Sequence, residues 1–251
     1  MNVESVLWVD RQVEPLREKT VKVLREAILS EHLKPGQQLV ERELCQQTGV
    51  SRSSIREALR YLESEGLVES RGTKGIFVAV LTVQQALEIY EVRAALEAEA
   101  ARHFVKRATD KEIAALRTCL LLIKKVASKD ADAYGRGIDH FFEILFAGAR
   151  NATAHAIMRS LGARINFLRR KSIRTAPKSR IPGSLAKMSL IYEALAKRDG
   201  EAAAAACRAF VARSAEFAER SVVRALAEAK AEGENFGQPE VHHVSPPIWR
   251  R

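Results

Sequence analysis

Cysteine is scarce in this chain, with Cys45, Cys119 and Cys207 the only three in 251 residues. No two of them stand at CxxC spacing, so neither a zinc site nor a disulfide framework is predicted. Cys45 and Cys207 fall in helical apolar runs, where a thiol serves as a small core side chain. Long hydrophobic stretches are missing too. No window approaches the ~18 to 20 apolar residues that a membrane span needs. Residues 1–14 contain Glu4 and Asp10 and no apolar run of the secretion-signal kind. These absences predict a soluble protein of the reducing cytoplasm. No Ser-His-Asp grouping, HExxH motif or phosphate-cradling glycine loop is present, so catalysis is not expected.

An excess of positive charge is also missing where it would be informative. The chain carries a net charge of +10, yet residues 1–80 hold twelve Lys and Arg against twelve Asp and Glu. The whole excess lies in residues 81–251. Bulk charge can therefore add only a nonspecific, salt-sensitive attraction for nucleic acid. The length suits one large or two modest domains, and a hydrophobic content of 47% is ordinary for a folded chain.

The most informative stretch runs from Glu41 to Lys74. With Ser51 as N-cap, its hydroxyl can accept from the free amides two or three residues on, which starts a helix running toward Glu65. At about 100° per residue, Ile55, Ala58, Leu59 and Leu62 gather on one side. Arg52, Ser53, Arg56 and Arg60 gather roughly opposite. A shorter helix, about Val40 to Gln47, precedes it, and Gly49 supplies the positive φ of the turn between them. That is helix-turn-helix spacing. Gly66 closes the second helix. Leu67–Ser70 and Ile76–Ala79 suit two short strands, with Arg71-Gly72-Thr73-Lys74-Gly75 as the tip between them. Ahead of these, Pro15 can open a first helix whose stripe is Leu16, Thr20, Val23, Leu24, Ala27 and Ile28. Lys34-Pro35-Gly36 stops it and turns the chain back. The prediction is a three-helix core with a wing as its lid. Arginines on a helix face are ordinarily just solvated. A helix fits the major groove of DNA, though, and arginine reads guanine edges there while short hydroxyls meet phosphates.

Pro35-Gly36, Glu41-Arg42-Glu43-Leu44, Gly49-Val50-Ser51-Arg52, Arg56-Glu57-Ala58-Leu59, Leu62, Glu65-Gly66-Leu67 and Arg71-Gly72 resemble the N-terminal domain of the GntR family of bacterial transcription regulators. The resemblance implies that Arg42, Arg52 and Arg56 contact double-stranded operator DNA, helped by Ser51, Ser53 and Ser54. It also implies that Arg71, Gly72 and Thr73 carry the wing into the minor groove.

After Val80 the strand signals vanish. Capping boxes at Thr82 to Gln85 and Thr109 to Glu112 begin two helices. Further breaks near 128–130, at Asn151, at 177–183 and at 199–200 divide residues 82–230 into about six helices of bundle length. In the first, Leu87, Tyr90, Ala94, Ala98, Ala101 and Val105 form an apolar stripe with Arg93 and Glu97 on its margin. An Arg and a Glu four residues apart are more often a helix-surface pair than a ligand clamp. Residues 82–225 are similar to the all-helical effector domain of the FadR subfamily, in which the Glu91-Val92-Arg93 and Leu96-Glu97 pattern recurs with the arginine facing the ligand cavity. The resemblance makes Arg93 the leading candidate for holding an anionic effector.

Many members of that subfamily bind a metal through an aspartate and three histidines, and this sequence departs from the pattern. Asp139 matches, but Glu143 or Phe142, the Met188 to Ile191 segment, and Phe210-Val211 fall where histidines belong. Thioether and phenyl groups are poor ligands for such metals. His103, His140 and His155 do not restore the set, since His140 points about 100° away from Asp139 on a helix. No metal and no cofactor is expected. The predicted cavity takes a small organic effector and is lined by Phe142, Met188, Tyr192 and Phe210, with Arg93 as anchor and Asp139 nearby; the alternative reading is that these four side chains fill a ligand-free core. Arg164, Arg169, Arg170, Lys171, Arg174, Lys178 and Arg180 form a basic run with no acid among them. It reads as a solvated helix end with a mobile loop, as a loop that tracks DNA phosphates, or as Arg164 turned inward to an anionic effector.

The expected architecture is mainly α. A winged helix-turn-helix at 15–80 follows an N-terminal extension at 1–14, and precedes an all-helical effector-binding and dimerisation bundle at 81–230. A tail at 231–251 with His242-His243 ends the chain. The expected function is that of a homodimeric, one-component transcription regulator, a repressor by family habit. It would bind a near-palindromic operator under control of the effector. Two other classes remain: a small-molecule enzyme or metal-dependent hydrolase with an attached DNA-binding domain, and a protein-interaction module that uses the winged domain.

Overall fold

The computed structural model describes residues 16–175 and 179–231. Pro15, Lys178, the extension at 1–14 and residues 232–251 of the tail, with His242 and His243, lie outside the described residues. The chain divides between Ala79 and Val80 into two compact units.

The first unit opens with α1 (Leu16–Leu29). Its buried arc is Thr20, Val21, Leu24, Ile28 and Leu29, whereas Leu16 and Val23, expected on the stripe, are 56% and 57% exposed. The helix is rotated from the expected setting. Arg25 donates to both Glu65 oxygens at 2.9 and 2.8 Å, which fixes the face that α1 turns to the third helix. The Thr20 hydroxyl enters the core satisfied, donating to the Leu16 carbonyl at 2.7 Å. A two-residue strand follows, β1 (Gln38–Leu39), then α2 (Glu41–Thr48) and α3 (Arg52–Ser64). Between the helices Gly49 takes φ 73° and its N–H returns to the Cys45 carbonyl at 2.9 Å, closing α2. Ser51 caps α3 by accepting from the Ser54 amide, as its position predicts. Ile55, Ala58, Leu59 and Leu62 are wholly buried against α1 and the sheet. Each large side chain of that set contributes about 1.5–3 kcal/mol through burial.

β2 (Val68–Ser70) and β3 (Ile76–Val78) form the wing as an antiparallel pair, with Glu69 opposite Phe77. The sheet order is β1-β3-β2, and Leu39 lies opposite Ile76. β1 went unread in the sequence because two residues are too few to show a period of two.

The second unit contains, among the described residues, α4 (Val83–Arg107), α5 (Asp110–Val126), α6 (Ala131–Ala149), α7 (Ala152–Thr175), α8 (Arg180–Ala196) and α9 (Gly200–Ala231). Thr82 with Gln85 and Thr109 with Glu112 form the two expected capping boxes. Asp130 caps α6 and the Asn151 side chain accepts from Ala154 at the start of α7. α4 packs chiefly on α9 and α6, and α8 on α9. Phe104, Leu116, Phe141, Leu145, Met188, Leu195 and Val211 stand in one apolar core. At Gly148 a Cβ would collide with the Phe104 ring, so the ring rests directly on the α6 backbone. No helix among the described residues is long and apolar enough to cross a membrane.

The stripe of α4 also differs from expectation. Tyr90, Ala98, Ala101 and Val105 are buried as expected. Arg93 and Glu97, expected on the margin, are in the buried centre at 1% exposure each. They pair with each other there, which is how two charges can enter an otherwise apolar face.

Candidate nucleic-acid interface and bundle cavity

The amphipathic period of α3 sends Arg52, Ser53, Arg56 and Arg60 outward, and all four are exposed. Ser51, itself exposed, lies 2.9 Å from the Ser53 hydroxyl and 3.0 Å from that of Ser54, so three short hydroxyls cluster at the helix start. The free amides and positive end of α3 sit at the same place, an arrangement suited to phosphate. Arg56 is not loose. Its Nε donates to both Glu41 oxygens at 2.7 and 2.9 Å while the side chain keeps 60% of its surface in solvent. Arg42, on the first turn of α2, is exposed.

At the wing tip Gly72 has φ 57° and Gly75 φ 99°, with a short 3-10 turn over Gly72–Lys74. Those angles favour glycine. Gln38 of β1 donates to the Lys74 carbonyl at 2.7 Å and so moors the tip to the sheet. Arg71 lies 4.5 Å over the Phe77 ring and donates to Glu69 at 2.7 Å. Gly72 and Thr73 are exposed. The nine residues expected to meet DNA thus fall on one helix start, the adjoining turn of α2 and one wing.

The bundle has a small polar cavity where five helices converge. Tyr90 of α4, Tyr134 and Ile138 of α6, Arg169 and Ser172 of α7, Arg180 and Ser184 of α8, and Phe210 and Ser214 of α9 line it. Arg93 lies behind Tyr90, 4.9 Å from that ring, and donates through Nε to Glu97 at 2.8 Å. Burial pushes the Glu97 carboxyl above its ordinary range, against the pull of Arg93. The other Glu97 oxygen and Arg93 Nη1 are buried without a hydrogen-bond partner among the described residues.

A second pair adjoins the first. Arg169 forms an ion pair with Asp139. With its amide turned to donate, Asn166 reaches both Asp139 oxygens at 2.7 and 2.8 Å. Burial, then repulsion from Arg93, lowers Arg169 to about 10. The aspartate that the resemblance would give to a metal is therefore already neutralised by a guanidinium. The surrounding donors do not fit a cation either. Phe142 and Met188 are buried in the core, with the Phe142 ring tilted against Phe210 at 5.5 Å, and His155 is 2.8 Å from Glu143 and stacked on Phe146. Among the described residues no group of three or more His, Cys, Asp and Glu could hold a metal ion.

Of the seven residues expected around an effector, Phe210 lines the cavity. Arg93 and Asp139 stand behind it through their partners, Tyr192 is half-buried, and Arg164 is half-buried with its Nε enclosed and unbonded. Within the basic run the strongly buried members are Arg169 and Arg180, at 8% each. Arg180 donates to the Ser172 carbonyl at 2.9 Å and hydroxyl at 2.8 Å and lies 4.5 Å over Phe217. The sequence carries a signal for Arg169 in its spacing: Ile165, Leu168, Arg169 and Ser172 share one helical face, and all four are buried.

A winged helix-turn-helix followed in the chain by a helical bundle whose apolar core encloses a small cavity with polar lining defines a class of ligand-responsive DNA binders. Residues 16–78 match the bacterial regulatory proteins of the gntR family, and residues 88–213 match the FCD domain. The chain belongs to the GntR family, in the branch that carries a C-terminal FCD domain, the FadR-type effector domain. The Nta operon transcriptional regulator of Aminobacter aminovorans is 37% identical over 141 residues, 56% of this chain and 67% of that protein. The HTH-type transcriptional repressor RspR of Escherichia coli (strain K12) is 28% identical over 205 residues, 80% of this chain and 87% of its own length. A solved structure of a GntR regulator described as a transcriptional regulator from Rhodococcus sp. RHA1 superposes with TM-score 0.67 at 25% identity, covering 83% of this chain and 98% of that one. The family consists of DNA-binding regulators of transcription, not enzymes, and its FCD domains bind small-molecule effectors.

Proposed function

We propose that the chain acts as a homodimeric repressor whose grip on a near-palindromic operator is set by an anionic organic effector in the bundle. The observation that carries the DNA half is the outward row of Arg52, Ser53, Arg56 and Arg60 beside the Ser51 cap and the wing. In this reading Arg52 and Arg56 meet base edges, the hydroxyls of Ser51, Ser53 and Ser54 together with Arg42 meet phosphates, and Arg71, Gly72 and Thr73 enter the minor groove. Two-fold symmetry in the protein calls for two-fold symmetry in the site, which is why a palindrome is expected. The repressor named among the relatives supports the sign of regulation.

Effector binding changes operator affinity only as far as the ligand prefers one arrangement of the dimer over another. Arg93, Asp139, Phe142, Arg164, Met188, Tyr192 and Phe210 remain the proposed surroundings of that ligand, with the small cavity at Phe210 its point of entry. The deciding experiment is a mobility-shift titration of the full chain on a palindromic operator, with Arg52→Ala and Arg56→Ala beside it and the dimer mass measured by light scattering. Loss of sequence preference in both variants supports the assignment of the face. Undiminished preference in both sinks it.

A further inference from the structure

The sheet of the winged unit carries a row of side chains that the DNA reading leaves unused. Gln38 of β1 and Glu69 of β2 both lie opposite Phe77 of β3. Residues directly opposed in an antiparallel pair point to the same face, so Gln38, Phe77 and Glu69 stand side by side across the three strands. The row meets the wing tip at both ends. The Phe77 ring underlies Arg71, and Glu69 holds the same guanidinium through Nε and Nη2. At the other end the Gln38 side-chain amide donates to the Lys74 carbonyl at 2.7 Å.

Bonds within the tip shape it without tying it down. The Arg71 N–H donates to the Gly75 carbonyl at 2.9 Å, and the Lys74 N–H to the Arg71 carbonyl at 3.1 Å. Glu63 of α3 accepts from the Ser70 N–H at 3.2 Å, which anchors the strand that enters the tip. The Gln38 bond joins residues 36 apart and ties the exit of the tip to a separate strand. A Cβ at Gly75 would stand 3.3 Å from the Gln38 amide nitrogen, so the backbone passes directly over that side chain. Two of the five tip residues, Gly72 and Gly75, are of the type that loses most freedom when fixed. A loop ordered in advance leaves less ordering to be done on binding, and so binds more tightly.

We infer that Gln38 is a positioning residue for DNA recognition: by fixing the Lys74 carbonyl it holds Arg71, Gly72 and Thr73 in the shape that enters the minor groove. It acts through the tip and needs no contact with a base. The inference rests on the minor-groove reading of the wing given above. Gln38 is exposed, so its bond adds little to global stability and its loss leaves the fold intact.

The test compares the full chain with Gln38→Met, which keeps the side-chain length and removes the donor, and with Arg71→Ala. Without DNA, tryptic cleavage after Lys74, followed by mass spectrometry, reads how firmly the tip is held. Gln38→Met is expected to speed that cleavage about fivefold, the scale of one neutral hydrogen bond, at an unchanged melting temperature. On a palindromic operator it is expected to weaken binding about fivefold with the salt dependence unaltered, since no charge is removed. Hydroxyl-radical protection of the minor groove at the wing should fade, while protection of guanine N7 in the major groove persists. Arg71→Ala should lose the same minor-groove protection and lower the salt slope by about one. Unchanged cleavage after Lys74 in Gln38→Met would overturn the inference, because the tip is then not moored by that side chain. A lowered melting temperature, or loss of the major-groove protection along with the minor, would overturn it too, by making Gln38 a support of the whole unit. The wing reading fails separately: if Arg71→Ala keeps the minor-groove protection, the wing does not enter that groove, and the role of Gln38 falls with it even where cleavage is faster.

Discussion

Arginine is used in opposite ways by the two units. In the winged unit Arg42, Arg52, Arg56 and Arg60 are exposed, and where one is restrained, as Arg56 is by Glu41, the restraint is itself at the surface. In the bundle Arg93, Arg169 and Arg180 are buried, and each is held by a partner from inside the fold: Glu97, Asp139 and Ser172. An exposed guanidinium keeps its hydration until something displaces it, so it is free to meet a partner from outside. A buried one has lost that hydration on folding, and its neighbours must compensate permanently. The difference teaches where each unit is vulnerable: the first in what it binds, the second in whether it stands.

The sharpest way to break that contrast is to unpair the α4 charges. Glu97→Ala should destabilise the protein by about 3–5 kcal/mol, since Arg93 is left buried and uncompensated. Replacing both at once, Arg93→Met with Glu97→Leu, should be neutral or stabilising, because the desolvation of both charges is removed together. Urea unfolding followed by circular dichroism measures both, and a double variant as damaged as the single would show that the pair is worth more than its burial costs.

Next in size, Arg52→Ala and Arg56→Ala should each weaken operator preference by about 1–3 kcal/mol while leaving the unfolding midpoint in place. A shifted midpoint with unaltered DNA binding would put these residues in the same structural category as Arg93. Smaller again, Thr82→Ala and Thr109→Ala should each cost about 1 kcal/mol, by removing the cap at the start of α4 and of α5. Thermal melts resolve that difference.

The smallest effect is one of pH. Arg150, bonded at 2.7 and 3.0 Å, and then the Thr109 backbone and hydroxyl hold Glu112 down to about 2, against burial and below its ordinary 4.5. A carboxyl with a depressed folded pKa stabilises fully above its unfolded value. That contribution should therefore be present above about 4.5 and vanish as the pH falls through about 2. Arg150→Ala should flatten this acid limb in a pH series of melting temperatures.

Legibility followed the same division. In α3 charge and apolarity separate cleanly, so the face, the Ser51 cap and the Gly49 turn could all be read from spacing. The two capping boxes of the bundle were as plain, being written in four residues each. In α4 the period was read from apolar residues alone, which pushed Arg93 and Glu97 to the margin, though at i and i+4 they stack on one face with Tyr90 and Ala101. α1 failed for another reason, since the Arg25 to Glu65 contact that sets its rotation joins residues 40 apart and leaves no local mark. The cavity was legible only in fragments. Arg169 and Arg180 were visible as members of a basic run, but what turns them inward is packing among five helices, and no single segment records that.

The bond from Glu41 to Arg56 carries a last consequence. A free arginine gives up about 2 kcal/mol of rotamer freedom when it is fixed in place. Arg56 has surrendered part of this already, within its own fold, before any duplex arrives. It would come to a groove cocked rather than limp, so that a wrong sequence finds a stiff side chain that cannot bend to accommodate it, and rejection is sharpened as much as acceptance.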